Sequence, residues 1–146
     1  MTSDDITIHR GLTGVYFDRS ATTFIDGKEG VLEYRGYNIN QLAEHSTFEE
    51  TGYLLIHGKL PTQAELNDFD AELKAARELP EQVFDVLELV KDSHPMDALR
   101  TAVSALASFD EDRNDNSPEA TIRKGNRLTS QVPSIVMAHH NIRQGK

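Results

Sequence analysis

The spacing of apolar positions changes character about a quarter of the way along the chain. Before Asn38 the apolar residues come in short runs: Val15-Tyr16-Phe17, Thr22-Thr23-Phe24-Ile25 and Val31-Leu32-Glu33-Tyr34. These are rich in β-branched and aromatic side chains, which suit strands. Gly11, Gly14, Gly27, Gly30 and Gly36 punctuate them. Asp26-Gly27 followed by Gly30 reads as a hairpin turn. The pattern predicts two or three short strands in a ribbon over about residues 11–37, too little sheet to form a core alone.

From Ile39 onward the period becomes helical, and helices are expected over about residues 39–144. Thr47 with Glu50, and Thr62 with Glu65, place a glutamate three residues after a threonine, the pattern of a capping box. The run through Leu54, Leu55 and Ile56 is stopped by Gly58 and Pro61. Leu66, Phe69, Leu73 and Ala76 recur at spacings of three and four, one apolar helix face. Pro80 breaks that helix and opens another, with Val83, Phe84, Leu87 and Val90 as its expected buried stripe. Ser93-His94-Pro95 starts a further helix, Pro being tolerated at the first helical position. Its stripe is read as Met96, Leu99, Val103 and Leu106, with Ala98, Ala102 and Ala105 allowing close approach. Phe109 to Ser117, with Asp110, Glu111, Asp112 and Asp115, reads as an exposed loop. Ser117-Pro118 caps the last helix, whose apolar face takes in Leu128, Val132, Ile135, Val136 and His139. Pro133 is expected to kink it. No element follows that helix to cover it, which suggests a truncated fold.

Composition narrows the class. With 146 residues the chain has the length of one domain, and a chain of that size buries about 70% of its unfolded surface. Hydrophobic residues make up 38% and charged residues 27%, so a soluble globular protein is expected rather than a disordered one. The formal net charge of −9 argues against a nucleic-acid partner, because phosphate binding needs a basic face. There is no cysteine, hence no disulfide, no thiolate catalysis and none of the common structural zinc sites. Met1-Thr2-Ser3-Asp4-Asp5 is acidic with no apolar run behind it, unlike a signal peptide. No stretch approaches the ~20 apolar residues of a membrane helix. A cytoplasmic location is expected, with no membrane partner.

The side chains with reactive potential are few. There is no phosphate-binding loop, no H-E-x-x-H and no G-x-S-x-G. His139 and His140 are adjacent on a helix, so their rings point about 100° apart, a poor arrangement for one metal. They read as a helix-end pair with one ring packed and one solvated, and no metal site is expected. His94 sits at a helix start beside Asp92, where it could contact an anion or cap and pack the helix. The capping role leads. Arg100 can pair with Asp97 at i,i+3.

Four motifs occur in order: Tyr34-Arg35-Gly36-Tyr37; Phe48-Glu49-Glu50; Leu54-Leu55-Ile56-His57-Gly58-Lys59-Leu60-Pro61-Thr62; and His94-Pro95-Met96-Asp97-Ala98-Leu99-Arg100-Thr101-Ala102-Val103-Ser104-Ala105-Leu106. Pro118-Glu119-Ala120 and Val132-Pro133-Ser134-Ile135-Val136 extend them. Together they resemble the amino-terminal region of citrate synthases, most closely the bacterial type that includes 2-methylcitrate synthases. The likeness runs from about Gly11 to the end of the chain.

The resemblance implies a mainly α fold, the amino-terminal part of the helical large domain, with a small β ribbon ahead of it. It implies an acyltransferase of central carbon metabolism and the tricarboxylic acid cycle, working as a homodimer with its active site between two domains. The implied reaction joins acetyl-CoA, or propionyl-CoA, to oxaloacetate, with no metal and no cofactor beyond the acyl-CoA substrate. Such chemistry needs a carboxylate base, one histidine to stabilise the enol, another to polarise the keto carbonyl, and arginines to clamp carboxylates. In the family one catalytic histidine follows Leu and precedes Gly-Gly, and another follows Gly. This chain has no Gly-His pair. Ile56-His57-Gly58-Lys59 is followed by Leu60-Pro61-Thr62, the family's early helix-ending motif, so His57 receives no catalytic role. No catalytic residue is expected here, and the segment reads as scaffold. One substrate-contacting position carries over loosely to Lys74, for which a solvated surface lysine is an equal reading. The competing expectation is a non-enzymatic helical module that binds a partner.

Overall fold

The computed structural model describes residues 11–12, 14–15 and 18–146. Of the expected Val15-Tyr16-Phe17 strand, Tyr16 and Phe17 lie outside the described residues, and Val15 belongs to no strand. The remaining strands form as the pattern implies. The Asp26 carboxylate accepts from the N–H groups of Lys28 and Glu29 at 2.9 and 3.2 Å, closing the predicted hairpin. It joins β1 (Thr23–Asp26) to β2 (Val31–Tyr34), with Thr23 opposite Tyr34 and Asp26 opposite Val31. A tight turn at Arg35 and Gly36 leads to β3 (Tyr37–Asn38), one residue beyond the expected end of the ribbon. The sheet is antiparallel in the order β1-β2-β3.

Most helices begin where a side chain takes up a free backbone N–H; the helix that Pro80 opens has no such bond. The Asn38 carboxamide oxygen accepts from the Asn40 N–H at 2.9 Å to open α1 (Ile39–His45). Both capping boxes form. Thr47 Oγ1 accepts from Glu50 N–H at 3.2 Å while Glu50 Oε2 accepts from Thr47 N–H at 2.7 Å, starting α2 (Phe48–His57). Thr62 and Glu65 repeat the exchange at 3.3 and 2.8 Å for α3 (Gln63–Ala75). Gly58, at φ 78, ends α2 in the left-handed conformation that only glycine adopts freely. Then come α4 (Glu81–Leu89), α5 (Pro95–Leu106), a short 3-10 turn at Ala107–Phe109, and α6 (Pro118–Arg143). The described chain is thus mainly helical with one small sheet.

The 26-residue α6, roughly 39 Å long at 1.5 Å per residue, is the spine. It packs against α3, α4 and α5. The main core joins Val83 and Leu87 of α4, Ala102 and Leu106 of α5, and Ile135 of α6. A second cluster joins Tyr53 of α2 to Phe69 and Leu73 of α3, the face expected from Leu66, Phe69, Leu73 and Ala76. Ala98 and Ala102 are wholly buried, so small side chains let α5 approach its neighbours closely.

Three expected stripes hold in part: Val83 and Leu87, then Leu99, Val103 and Leu106, and Ile135 meet the main core, while other members turn outward. Met96 is 63% exposed, because α5 buries the line Ala98, Ala102, Leu106, and a residue two positions earlier lies about 200° away. On α4 the buried pair is Val83 and Leu87, which leaves Phe84 exposed. On α6 Leu128 and Val136 face outward, while Ala120, Asn126, Ser130, Ile135 and His139 face inward. Three of those, Asn126, Ser130 and His139, are polar, so hydrophobic spacing alone could not find the face. The helix runs on through Pro133; the residue's missing N–H leaves the Thr129 carbonyl without its helical donor.

Candidate functional site

Lys74, the position matched to a substrate contact, lies in the last turn of α3. Its Nζ donates to Asp70 Oδ2 at 2.6 Å, an exposed i,i+4 pair. Arg100 pairs with Asp97 at 3.0 Å, as the spacing implies, and both are exposed. His57 occupies the last turn of α2. Its ring stands 4.1 Å from that of Tyr53, which meets Phe69 edge-on at 5.6 Å. It therefore packs at a helix end, in keeping with its reading as part of a helix-ending motif.

His94 is the N-cap of α5. Its Nδ1 accepts from the Met96 N–H at 3.2 Å, which satisfies a donor that the helix itself cannot. The pair at the end of α6 divides as expected: His139 is 6% exposed and His140 faces solvent. His139 Nε2 has no hydrogen-bond partner. The start of α5 and the end of α6 meet, and Pro95, Met96, His139, His140 and Arg143 line a cavity of about 250 Å3 there. His57 and Lys74 lie on other helices. Among the described residues no three His, Asp or Glu side chains gather to hold a metal.

The best-organised polar groups were not singled out from the sequence. Arg127 Nη2 donates to Asp110 Oδ1 at 2.7 Å and to Asp112 Oδ2 at 2.8 Å. Arg123 adds Nη2 to Asp112 Oδ1 at 2.6 Å and Nε to Asp112 Oδ2 at 3.0 Å. The two arginines hold the Asp112 carboxyl well below its ordinary range, Arg123 first and Arg127 second. The acidic stretch is thus a loop, as read, but two of its carboxylates are tied back to α6. Beside it a cavity of about 430 Å3 is lined by Val103, Phe109, Lys124, Arg127 and Leu128. Further along α6, Asn126 Nδ2 donates to Glu72 Oε1 at 2.9 Å. Gln131 Nε2 donates to the Glu78 carbonyl at 3.2 Å, and Ser134 Oγ to the Arg77 carbonyl at 3.0 Å. These bonds fasten α6 to the end of α3 and to the segment that follows it. A base, an oxyanion donor and an orienting partner converging on one open point are what catalysis requires. The singled-out side chains instead cap helices, pair on the surface or pack.

Comparison with known proteins decides the family. The family model described as "Citrate synthase, C-terminal domain" matches residues 11–146. The chain belongs to the citrate synthase family. Curated citrate synthases of Haloferax volcanii and Deinococcus radiodurans are 45% and 44% identical to it over 143 and 140 residues. Those matches take in 94% and 95% of this chain but only 38% and 37% of the relatives. The crystal structure of citrate synthase from Pyrobaculum aerophilum is similar at a TM-score of 0.84 and 35% identity, covering 92% of this chain and 36% of that one. This citrate synthase-family chain therefore spans well under half the length of its relatives. The fold that the motifs implied is the fold observed, helical with a small sheet.

Proposed function

We infer that the chain is the amino-terminal share of the large helical domain of a citrate synthase-type enzyme, and that it serves there as scaffold. The reading rests on one combination: the family match covers residues 11–146, yet His94 caps a helix and Lys74 and Arg100 are paired on the surface. The whole enzyme would condense acetyl-CoA, or propionyl-CoA, with oxaloacetate to give citrate or 2-methylcitrate and free CoA. It would do so as a cytoplasmic homodimer, with the base, the polarising histidines and the carboxylate clamps supplied from outside these residues. The helices described here would hold such groups in place indirectly, since sub-ångström to ångström placement of reacting groups governs rate. Lys74 remains the one proposed substrate-side position. Its ion pair with Asp70 leaves the ammonium tethered to α3, and a role would require that pair to open.

A chimera tests this reading. In it, the 140 matched residues of the Deinococcus radiodurans relative are replaced by the corresponding residues of this chain. The chimera should fold and release CoA from acetyl-CoA in the presence of oxaloacetate. A folded chimera without activity, beside an active parent, would contradict the scaffold role.

A further inference from the structure

The turn between β2 and β3 departs from the residue preferences of its type. A two-residue hairpin with left-handed backbone at both positions favours Asn, Asp or Gly at the first. Here the first position is Arg35, at φ 51, followed by Gly36 at φ 86. An L side chain is strained in that region, so something beyond the turn must retain it.

The guanidinium supplies the reason. Its Nε and Nη2 both donate to the Leu55 carbonyl, at 3.3 and 2.9 Å, and Nη1 donates to the Ala21 carbonyl at 3.4 Å. The backbone N–H of Arg35 donates to the Thr22 carbonyl at 2.9 Å. Leu55 lies in the last turn of α2, where carbonyls lack partners within the helix. Gly58 N–H serves Leu54 at 2.8 Å, and Arg35 serves Leu55. The end of α2 is therefore capped by a side chain 20 residues away in sequence.

Beyond these bonds the ribbon meets α1, and its four β2 residues are half-buried. None of its strand residues is fully buried, and Phe24 and Ile25 are exposed. Both buried core clusters lie within the helices. Segments with few buried apolar contacts open at lower free energy than the core.

We propose that Arg35 is a latch, a positioning residue that docks the ribbon Thr23–Asn38 onto the last turn of α2. Ribbon and helix end order together and open together, while the α4–α6 packing stays closed. The strained backbone at Arg35 is retained because only a guanidinium reaching across from that turn makes both contacts.

Amide hydrogen exchange on the 146-residue chain separates the possibilities. Arg35→Gly removes the strain together with the guanidinium, so faster exchange cannot be blamed on backbone strain. The amides of Val31–Tyr34 should then exchange at least about tenfold faster, with those of Ala102–Leu106 and Ile135–His139 unchanged. Arg35→Lys cannot make the two-handed contact and should give the same regional pattern at smaller size. Unchanged exchange at Val31–Tyr34 would overturn the latch. So would an equal acceleration in α5 and α6, which would make Arg35 a support of the whole chain. Should Arg35→Gly fail to fold, the Lys variant decides by the same two patterns.

Discussion

Thr47 and Thr62 each meet a glutamate three residues on, and both pairs close into capping boxes. Such features were legible because both partners sit within one helical turn. Arg127 with Asp110, and Asn126 with Glu72, were not, since their partners lie 17 and 54 residues apart and only the folded chain brings them together. The same locality gives a pH-dependent contribution. Lys59 first, then the Thr62 backbone and side chain, pull the Glu65 carboxyl from 4.5 to about 2. A carboxyl depressed in the folded state stabilises above its unfolded value and loses that contribution as pH falls through the folded one. Thermal melts should therefore show wild type above Glu65→Gln at neutral pH, with the gap shrinking between about pH 4.5 and 2. A gap constant across that range would contradict the assignment. His94 gives a second residue-scale outcome. His94→Ala should lower stability in urea unfolding by about 0.5–2 kcal/mol, as cap losses do. No measurable change would mean that the bond to Met96 N–H contributes nothing.

Helix boundaries followed from caps and breakers, and the buried face of α3 from its spacing, whereas the faces of α5 and α6 followed only in part. Strings such as Met96, Leu99, Val103 and Leu106 fit helical spacing, yet α5 turns Ala98, Ala102 and Leu106 inward. Alanine carries little hydrophobic signal, and its burial reflects close helix approach rather than side-chain size. On α6 the inward face contains Asn126 and Ser130, chosen by tertiary hydrogen bonding and packing that no periodicity encodes. This difference has a measurable consequence. Leu87→Ala, at a fully buried position of α4, should cost about 2–5 kcal/mol. Met96→Ala, on the exposed side of α5, should stay within about 0.5 kcal/mol. Chemical denaturation of the two variants compares them directly. Equal losses would restore the stripe read from the sequence.

At the scale of the whole molecule, four ordered motifs made the family legible, and the match over residues 11–146 bears it out. The fold class was legible for the same reason: caps, breakers and helical spacing agree from Ile39 onward. A site was not legible, because the histidines and basic residues that drew notice proved to be caps, surface pairs and packed rings. The chain spans 37% and 38% of the length of its Deinococcus and Haloferax relatives. On the proposed reading these residues supply scaffold and none of the condensing chemistry. Loss of a single preorganised donor costs ~10²–10³ in rate, so if the base, both polarising histidines and the clamps come from outside these residues, as proposed, no measurable rate is expected. The most direct measurement follows thiol release from acetyl-CoA with oxaloacetate, using residues 1–146 alone and freed of any other synthase. The rate should stay at the level of the protein-free control at every chain concentration. Release that rises in proportion to chain concentration would contradict the proposed reading.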